Sequence, residues 1–270
     1  MSSVIVIPAR YASSRFPGKP LAPLRGATGV VKSLIERSWE AAAAVHGVDL
    51  VVVATDDDRI AEASKAFGAE VVMTAETCRN GTERCRDALP ALTERLGAAP
   101  EIVVNLQGDA PLTPPWFVEA LIAEMRADPA VSVATPGLRC DGETLAALQA
   151  DRAAGRVGGT TVVFNAARDA LYFSKEVIPF CAERFAPEAA TPVFHHVGLY
   201  GYRPAALEAY ASWAPAGLET LEGLEQLRFL ENGTPVRVVE VDGRGRVFWE
   251  LNNPEDTPRI EAALTRMNLE

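Results

Sequence analysis

Three cations lie close together in the segment 8–20, directly after a short apolar run. They are Arg10, Arg15 and Lys19, and they are interspersed with small hydroxyl residues and Gly18. A loop of this composition can offer guanidinium groups, an ammonium and backbone N–H donors to a polyphosphate. It contains neither the G-x-x-x-x-G-K-[ST] pattern nor G-x-G-x-x-G. A solvated basic loop without a ligand fits the same charges equally well, so charge alone leaves both interpretations open.

A single carboxylate follows another apolar run in the same way. Asp109 comes shortly after residues 102–106, whose composition predicts a buried strand, and it precedes Pro111. Ligands of α/β folds bind beyond the carboxyl ends of the strands. Mg²⁺ takes one or two carboxylates and completes its coordination with phosphate oxygens and water. Asp109 is therefore a candidate metal ligand, and the competing interpretation is a turn or cap residue before Pro111.

The elements that must position these residues follow an alternating pattern. Short apolar runs between longer amphipathic segments indicate βαβ units and a mostly parallel central sheet, that is, an α/β fold. In the first half we expect strands at 4–7, 50–54, 70–73 and 102–106, and helices at 30–45, 56–67, 82–96 and 116–127. In the second half we expect strands at 160–165, 170–173, 197–202 and 236–241, a helix at 217–231, and irregular structure around Pro179, Pro187 and Pro192. We expect one domain over residues 1–270, with an embellished C-terminal half.

Composition narrows the classes of protein that the chain can belong to. The 270 residues include 26 Lys and Arg against 36 Asp and Glu, so the formal charge is 26 − 36 = −10. This balance argues against a general nucleic-acid binder, which needs clustered cations. The apolar run at residues 4–7 is too short for a membrane span or an export signal, and the four cysteines show no C-x-x-C spacing. We therefore expect a cytoplasmic protein without a membrane or nucleic-acid partner.

The segment 7–21 resembles the signature of the CMP-Kdo synthetase family, the cytidylyltransferases that activate 3-deoxy-manno-octulosonate (Kdo). Further segments that match this family follow in the expected order along nearly the whole chain, at 52–56, 81–84, 105–109, 170–174, 196–203, 224–228 and 254–256. The resemblance implies a three-layer, Rossmann-like nucleotidyltransferase fold. It also implies that CMP is transferred from CTP to an acidic acceptor with release of pyrophosphate.

The resemblance assigns roles on the nucleotide side. Arg10, Arg15 and Lys19 would hold the triphosphate and stabilise the departing pyrophosphate, and Arg10 and Lys19 are expected to act in catalysis. Arg84 and Gln107 would complete the CTP pocket. Asp109 would act in catalysis by binding Mg²⁺, the expected cofactor.

The acceptor side is expected in the second half, where residues of about 160–245 would form the acceptor and dimerisation subregion of a homodimer. Lys175, His195 and His196 would border the acceptor, although a lone histidine is as often a structural residue. Glu222, Glu225 and Gln226 are three or four residues apart, so they would share a face of the predicted 217–231 helix. The resemblance implies that this helix borders the acceptor pocket, so Glu222 and Gln226 would contact the acceptor. A solvated helix face is the alternative interpretation of the spacing.

Four positions depart from the pattern of the family. Asn252 stands where the family has a second metal-binding Asp, Lys175 and His195 stand in place of Arg, and Ala110 stands in place of Glu. An amide oxygen at Asn252 can coordinate Mg²⁺ but supplies no charge, and Lys175 loses the bidentate recognition of a carboxylate that Arg provides. Three possibilities therefore remain open. The acceptor is a Kdo-like 3-deoxy sugar acid, or it is a small phosphonate such as phosphonoformate, or the chain is a non-catalytic CTP-binding paralogue.

Overall fold

Apolar runs in the first half of the chain form parallel neighbours in a large central sheet. The computed structural model describes residues 2–12, 16–157, 159–246, 249–251 and 253–270. The strands of this half that enter the sheet are β1 (Ser3–Ala9), β4 (Leu50–Thr55), β5 (Glu70–Met73) and β6 (Ile102–Leu106). They lie in the order β5-β4-β1-β6, and every pairing among them is parallel. The short strands β2 (Pro23–Arg25) and β3 (Val31–Ser33) form a separate antiparallel hairpin.

The second half extends the same sheet with strands of mixed direction. These strands are β7 (Val133–Asp141), β8 (Thr161–Phe164), β9 (Ala170–Ser174), β10 (Ala190–His196), β11 (Leu199–Tyr202) and β12 (Arg237–Val241). The order continues as β6-β11-β7-β10-β8-β9 through antiparallel pairs, and β12 pairs with β7 in parallel. The sheet therefore runs without interruption from the predicted nucleotide side to the predicted acceptor side.

Helices cover both faces of the sheet, as the continuous apolar strands require. They are α1 (Leu34–Ala43), α2 (Asp58–Ala66), α3 (Gly81–Leu96), α4 (Pro115–Ala127), α5 (Gly142–Ala153), α6 (Pro204–Ser212), α7 (Gly217–Glu222), α8 (Leu227–Glu231) and α9 (Thr257–Arg266). Val4 and Val6 of β1 pack into one core with α3 and α6, whereas Ile5 and Ile7 pack into a second core with α1 and α4. The predicted α/β fold with a large central sheet is confirmed. No helix in the described part of the chain is long and apolar enough to cross a membrane.

Two predicted helices have different bounds in the structure. The helix expected at 30–45 begins only at Leu34, because Ser33 caps its N-terminus and the preceding residues pair in the β2–β3 hairpin. The helix expected at 217–231 is two helices, because Gly223 adopts φ +62° and ends α7. Glu222, Glu225 and Gln226 therefore do not share one helix face, and that prediction was wrong.

Several helices and strands of the second half were not predicted from the sequence. Strand β7, helices α5 and α6, and the C-terminal helix α9 were not predicted. Strand β10 passes through Pro192, in a region expected to be irregular. The register of β10 against β7 shifts between Ala190 and Phe194, so the missing N–H of the proline falls in an irregular stretch of the ladder.

Candidate active site

The loops after β1 and β6 meet because these two strands are parallel neighbours. A cavity of about 390 Å³ opens at their carboxyl ends. Its lining includes most of the residues predicted to hold the nucleotide: Arg10, Lys19, Arg84, Gln107 and Asp109. The structure thus brings together groups that are up to 99 positions apart in sequence. The predicted positions Arg15 and Asn252 lie outside the described residues.

Lys19 and Asp109 form the central contact of this cavity. The Lys19 Nζ lies 2.5 Å from the Asp109 Oδ2, and the two side chains are 17% and 25% exposed. Gly18 adopts φ +71° immediately before the 3₁₀ turn Lys19–Leu21, which directs the lysine into the site. On the other side, the carbonyl of Asp109 accepts a hydrogen bond of 2.9 Å from the Leu251 N–H. The ammonium is therefore held within reach of whatever binds at Asp109.

Arg84 enters the same cavity from the first turn of α3. The side chain of Asn80 caps this helix by accepting from the Glu83 N–H at 2.9 Å. The Arg84 guanidinium is only 3% exposed. It donates to the Thr74 Oγ1 at 2.5 Å, and its Nη2 lies 3.5 Å from the Asp56 Oδ1. The carboxylate of Asp56 thus partly compensates the positive charge of Arg84 in the absence of a ligand.

A second cavity, of about 490 Å³, contains most of the residues predicted for the acceptor. Lys175, His195, His196 and Gln226 line it. Glu222 lines neither cavity. Its Oε1 accepts from the Ser174 hydroxyl at 2.7 Å and its Oε2 accepts from the Lys175 N–H at 3.0 Å. Glu222 therefore holds the end of β9, the strand that leads to Lys175.

The two cavities adjoin at four residues that line both of them, namely Gln107, Asp109, Gly223 and Glu225. The carboxylate of Asp109 thus faces the predicted nucleotide space and the predicted acceptor space together. This arrangement is what a transfer between two substrates requires, because the reacting groups must meet at the boundary of their sites.

The two histidines in the second cavity are neutral at pH 7. Burial lowers the pKa of His196 to about 3, with a further contribution from neighbouring His195, and burial lowers the pKa of His195 to about 4. His196 packs edge-on against Phe173, with ring centroids 4.9 Å apart, and lies beside Tyr200. A neutral imidazole offers hydrogen bonds but no positive charge, so among the described residues that line this cavity Lys175 supplies the positive charge.

Two buried polar atoms in the second cavity wall have no hydrogen-bond partner among the described residues. They are the Nε2 atoms of His196, which is 6% exposed, and of Gln226, which is 2% exposed. Leaving such a group unsatisfied costs about 1–3 kcal/mol. Both residues line the second cavity, but the two Nε2 atoms themselves have almost no accessible surface. A ligand role for His196 therefore stays a prediction beside the structural one.

Glu225 has a more central place than the sequence indicated. It accepts from the Thr82 N–H at 3.1 Å and from the Gln107 Nε2 at 3.3 Å. Burial raises the pKa of this carboxyl group. The sequence pattern placed Glu225 and Gln226 in one uninterrupted helix at 217–231 and indicated no role in binding for Glu225. In the structure Glu225 lies between α7 and α8. Trp249 and Glu250 also line the second cavity, and they were not predicted from the sequence as site residues. Their nearness in sequence to the predicted metal ligand at position 252 was the signal that could have indicated them.

Asp109 also has the properties that a magnesium ligand needs. Its carboxylate is a hard oxygen donor, is partly exposed, and lies at the junction of the two cavities. No group of three or more His, Cys, Asp or Glu side chains that could hold a metal occurs in the described part of the chain. One carboxylate is nevertheless sufficient for Mg²⁺ when phosphate oxygens and water supply the other ligands. The donor set therefore fits an ion that arrives with a nucleotide.

Comparison with known proteins identifies the class that this fold and site define. A family model described as cytidylyltransferase matches residues 4–238. A curated protein of Maricaulis maris (strain MCS10), named 3-deoxy-manno-octulosonate cytidylyltransferase, is 52% identical and aligns over 98% of this chain and 97% of its own length. A protein of the same name from Syntrophotalea carbinolica is 43% identical and aligns over 98% of this chain and 99% of its own length. The Arabidopsis thaliana protein of that name, described as mitochondrial, is 37% identical and aligns over 98% of this chain and 83% of its own length. The chain is a nucleotidyltransferase of the cytidylyltransferase class.

Solved structures agree with this assignment. A structure of CMP:2-keto-3-deoxy-manno-octonic acid synthetase complexed with CTP is 35% identical, with a TM-score of 0.80, and covers 99% of this chain and 100% of that one. A 4-diphosphocytidyl-2C-methyl-D-erythritol synthase from Anaerococcus prevotii is 14% identical, with a TM-score of 0.57 over 98% and 97% of the two chains, and it shows similarity of fold alone. The chain belongs to the 3-deoxy-manno-octulosonate cytidylyltransferase family, and the resemblance seen in the sequence is confirmed.

Proposed function

We propose that this protein transfers CMP from CTP to Kdo and releases pyrophosphate. The observation that carries the proposal is the junction of two cavities at Asp109, one lined by cations and the other by Lys175 and buried polar groups. The names of the relatives described above favour Kdo over a phosphonate as the acceptor.

Residues of the first cavity would bind the nucleotide. Arg10 and Lys19 would neutralise the triphosphate, and Arg15 of the same loop is expected to assist them. Arg84 and Gln107 line the same cavity and would contact the remainder of CTP. Transfer of a phosphoryl-type group asks a protein mainly for alignment and for compensation of charge, which these side chains can provide.

The proposed cofactor is Mg²⁺, with Asp109 as its protein ligand. When bound, such an ion neutralises phosphate charge and orients the α-phosphate. Asn252 remains a predicted second ligand through its amide oxygen. Lys19, 2.5 Å from Asp109, would contribute a further positive charge at the same place.

Residues of the second cavity would orient the sugar acid. Lys175 would pair with its carboxylate, while the neutral imidazole of His196 and the amide of Gln226 would hydrogen-bond its hydroxyl groups. His195 would border the same molecule. The acceptor oxygen would then face the α-phosphorus across the shared boundary, where a new P–O bond forms as the bond to pyrophosphate breaks.

We further propose a homodimer of single-domain subunits that acts in the cytoplasm. Residues of about 160–245 would provide the dimer contact. Exposed apolar side chains in this region, Leu171, Phe180 and Leu221, support that location. Light scattering after size-exclusion chromatography would test the dimer, and a monomeric mass at micromolar concentration would refute it.

The acceptor assignment is tested by measuring pyrophosphate release from CTP and Mg²⁺ with a panel of acceptors. The panel contains Kdo, its amino analogues, sialic acids, phosphonoformate and aminoalkylphosphonates. We expect release with Kdo and little with the phosphonates. Release only with a phosphonate would replace the acceptor, and CTP binding without release for any acid would support the non-catalytic paralogue.

A further inference from the structure

The aromatic ring of Tyr11 lies directly under a guanidinium from a different part of the chain. The Arg59 Cζ is 3.3 Å from the centroid of the Tyr11 ring, well within the range of a cation–π contact. Arg59 lies on α2, whereas Tyr11 follows β1 and directly follows Arg10, which lines the first cavity. The contact therefore links α2 to the loop that carries the predicted triphosphate ligands.

Arg59 is held in this position by Asp57. The Arg59 Nε donates to the Asp57 Oδ1 at 3.0 Å, and its Nη2 donates to the Asp57 Oδ2 at 2.6 Å. This bidentate arrangement fixes the plane of the guanidinium, which is valuable for a side chain that is 59% exposed. The Asp57 Oδ1 also accepts from the Arg59 N–H at 3.0 Å at the start of α2, so the pair is tied to the helix backbone.

Tyr11 in turn holds the other end of the loop. Its carbonyl accepts a hydrogen bond of 3.0 Å from the Gly18 N–H, which ties Gly18 to Tyr11. A Cβ added at Gly18 would lie 3.1 Å from three atoms of the Tyr11 side chain, so Gly18 sits closely against the ring. The tyrosine also packs against the core that contains Ile5 and Ile7. Lys19 directly follows Gly18, so a shift of the ring would shift Lys19 as well.

We propose that Arg59 is a positioning residue for the nucleotide site, acting through the Tyr11 ring on Arg10 and Lys19. The inference rests on the proposed use of CTP by the first cavity. Arg59 lines neither cavity, and its guanidinium is committed to Asp57 and Tyr11. Its effect on the nucleotide is therefore indirect, through the position of the loop.

The test is a double-mutant cycle read by calorimetric binding of CTP and by steady-state kinetics. Arg59→Ala and Tyr11→Leu should each raise the Kd and KM for CTP about two- to fivefold, the size that an exposed cation–π contact supports, with a smaller change in kcat. Tyr11→Phe keeps the ring and should resemble the wild type, and Arg59→Lys should restore part of the affinity. Arg95→Ala, which removes a surface pair with Glu70, is the control and should leave the Kd unchanged.

The double variant decides whether Arg59 acts through Tyr11. Arg59→Ala should add little to the Kd of Tyr11→Leu. An equal loss in both backgrounds, or a wild-type Kd for Arg59→Ala, would overturn the inference. A lower melting temperature without a change in Kd would assign Arg59 to the stability of α2 and would overturn it too. Failure of the wild type to bind CTP would instead refute the proposed function.

Discussion

At the scale of single residues, Lys19 is the cation with the most direct place in the site. Its ammonium lies 2.5 Å from the carboxylate of Asp109 at the junction of the two cavities. We predict that Lys19→Met lowers kcat/KM for CTP about 10- to 100-fold, because a hydrogen bond to a charged group contributes about 1.5–3 kcal/mol. Steady-state kinetics with varied CTP would check this.

Lys32→Met provides a matched control for Lys19. The Lys32 Nζ lies 2.5 Å from the Glu40 Oε1, so the substitution removes an ion pair of the same length from a surface that lines neither cavity. It should leave kcat/KM unchanged. An equal loss of activity in both variants would show that the effect is not specific to the site.

Lys175 supplies the corresponding prediction for the acceptor cavity. Lys175→Ala should raise the KM for Kdo about tenfold or more and leave the KM for CTP within about twofold, since a charged partner of the acceptor alone is removed. Separate titrations of the two substrates give both constants. Lys65→Ala, an exposed lysine of α2, is the control. A larger rise in the KM for CTP than for Kdo would contradict the division between the cavities.

His196 makes stability depend on pH in a defined direction. Its pKa is about 3 in the folded protein, against an ordinary value of 6.5, so the unfolded chain binds more protons between these values. The free energy of unfolding should therefore fall as the pH is lowered from about 6.5 towards 3, by up to about 1.4 kcal/mol per pH unit for this group. Urea unfolding of the wild type and of His196→Asn would measure the slope. Equal slopes for the two proteins would contradict the assignment.

Several of these residues could be predicted from the sequence, and some properties could not. Arg10, Lys19, Gln107 and Asp109 follow predicted strands, so the geometry of a parallel sheet was enough to bring them together. The ion pair of Arg84 with Asp56 and the unpartnered Nε2 of His196 depend on side-chain packing that residue types alone do not specify. Lys175, His195, His196 and Gln226 were found only through resemblance.

At the scale of elements, the break between α7 and α8 shapes the junction. Gly223 adopts φ +62° and lines both cavities, and a Cβ there would lie 3.0 Å from the Lys175 Nζ. Gly223→Ala should destabilise the fold by about 1–2 kcal/mol because of this φ, and should raise the KM for Kdo by up to about tenfold by displacing Lys175.

Gly233→Ala is the matched control for the glycine at the junction. Gly233 adopts φ +74° with nothing within 4 Å of an added Cβ, so it carries the same backbone strain in open space. It should lose similar stability, measured by thermal unfolding, and keep the wild-type KM for Kdo. A normal KM for Gly223→Ala would remove the proposed influence of this turn on Lys175.

The elements of the first half were easier to predict than those of the second. Strands β1, β4 and β6 are buried on both faces, so each is a continuous apolar run with a clear signal. Strand β10 contains a proline and a shift in register, and the 217–231 segment keeps a helical spacing across Gly223. Periodicity does not report a change of backbone direction at one residue, so the break between α7 and α8 could not be predicted.

At the scale of the whole molecule, a net charge of −10 is compatible with a cavity lined by several cations. An acidic surface does not favour a long polyanion, but a small one can be held by cations from a single loop and its neighbours. The composition therefore indicated a small anionic ligand, but it did not indicate which one. The choice between a sugar acid and a phosphonate depends on contacts within one cavity, which explains why the sequence pattern left both possibilities open.

The most direct measurement is ³¹P NMR of the purified protein with CTP, Mg²⁺ and Kdo. We expect the CTP resonances to be replaced by those of pyrophosphate and of a phosphodiester in CMP–Kdo. Asp109→Asn should lower this conversion at least about 100-fold, while the melting temperature of the variant stays near that of the wild type. Absence of the phosphodiester with wild-type protein would refute the proposed transfer of CMP to Kdo, and full conversion by Asp109→Asn would refute the proposed role of Asp109.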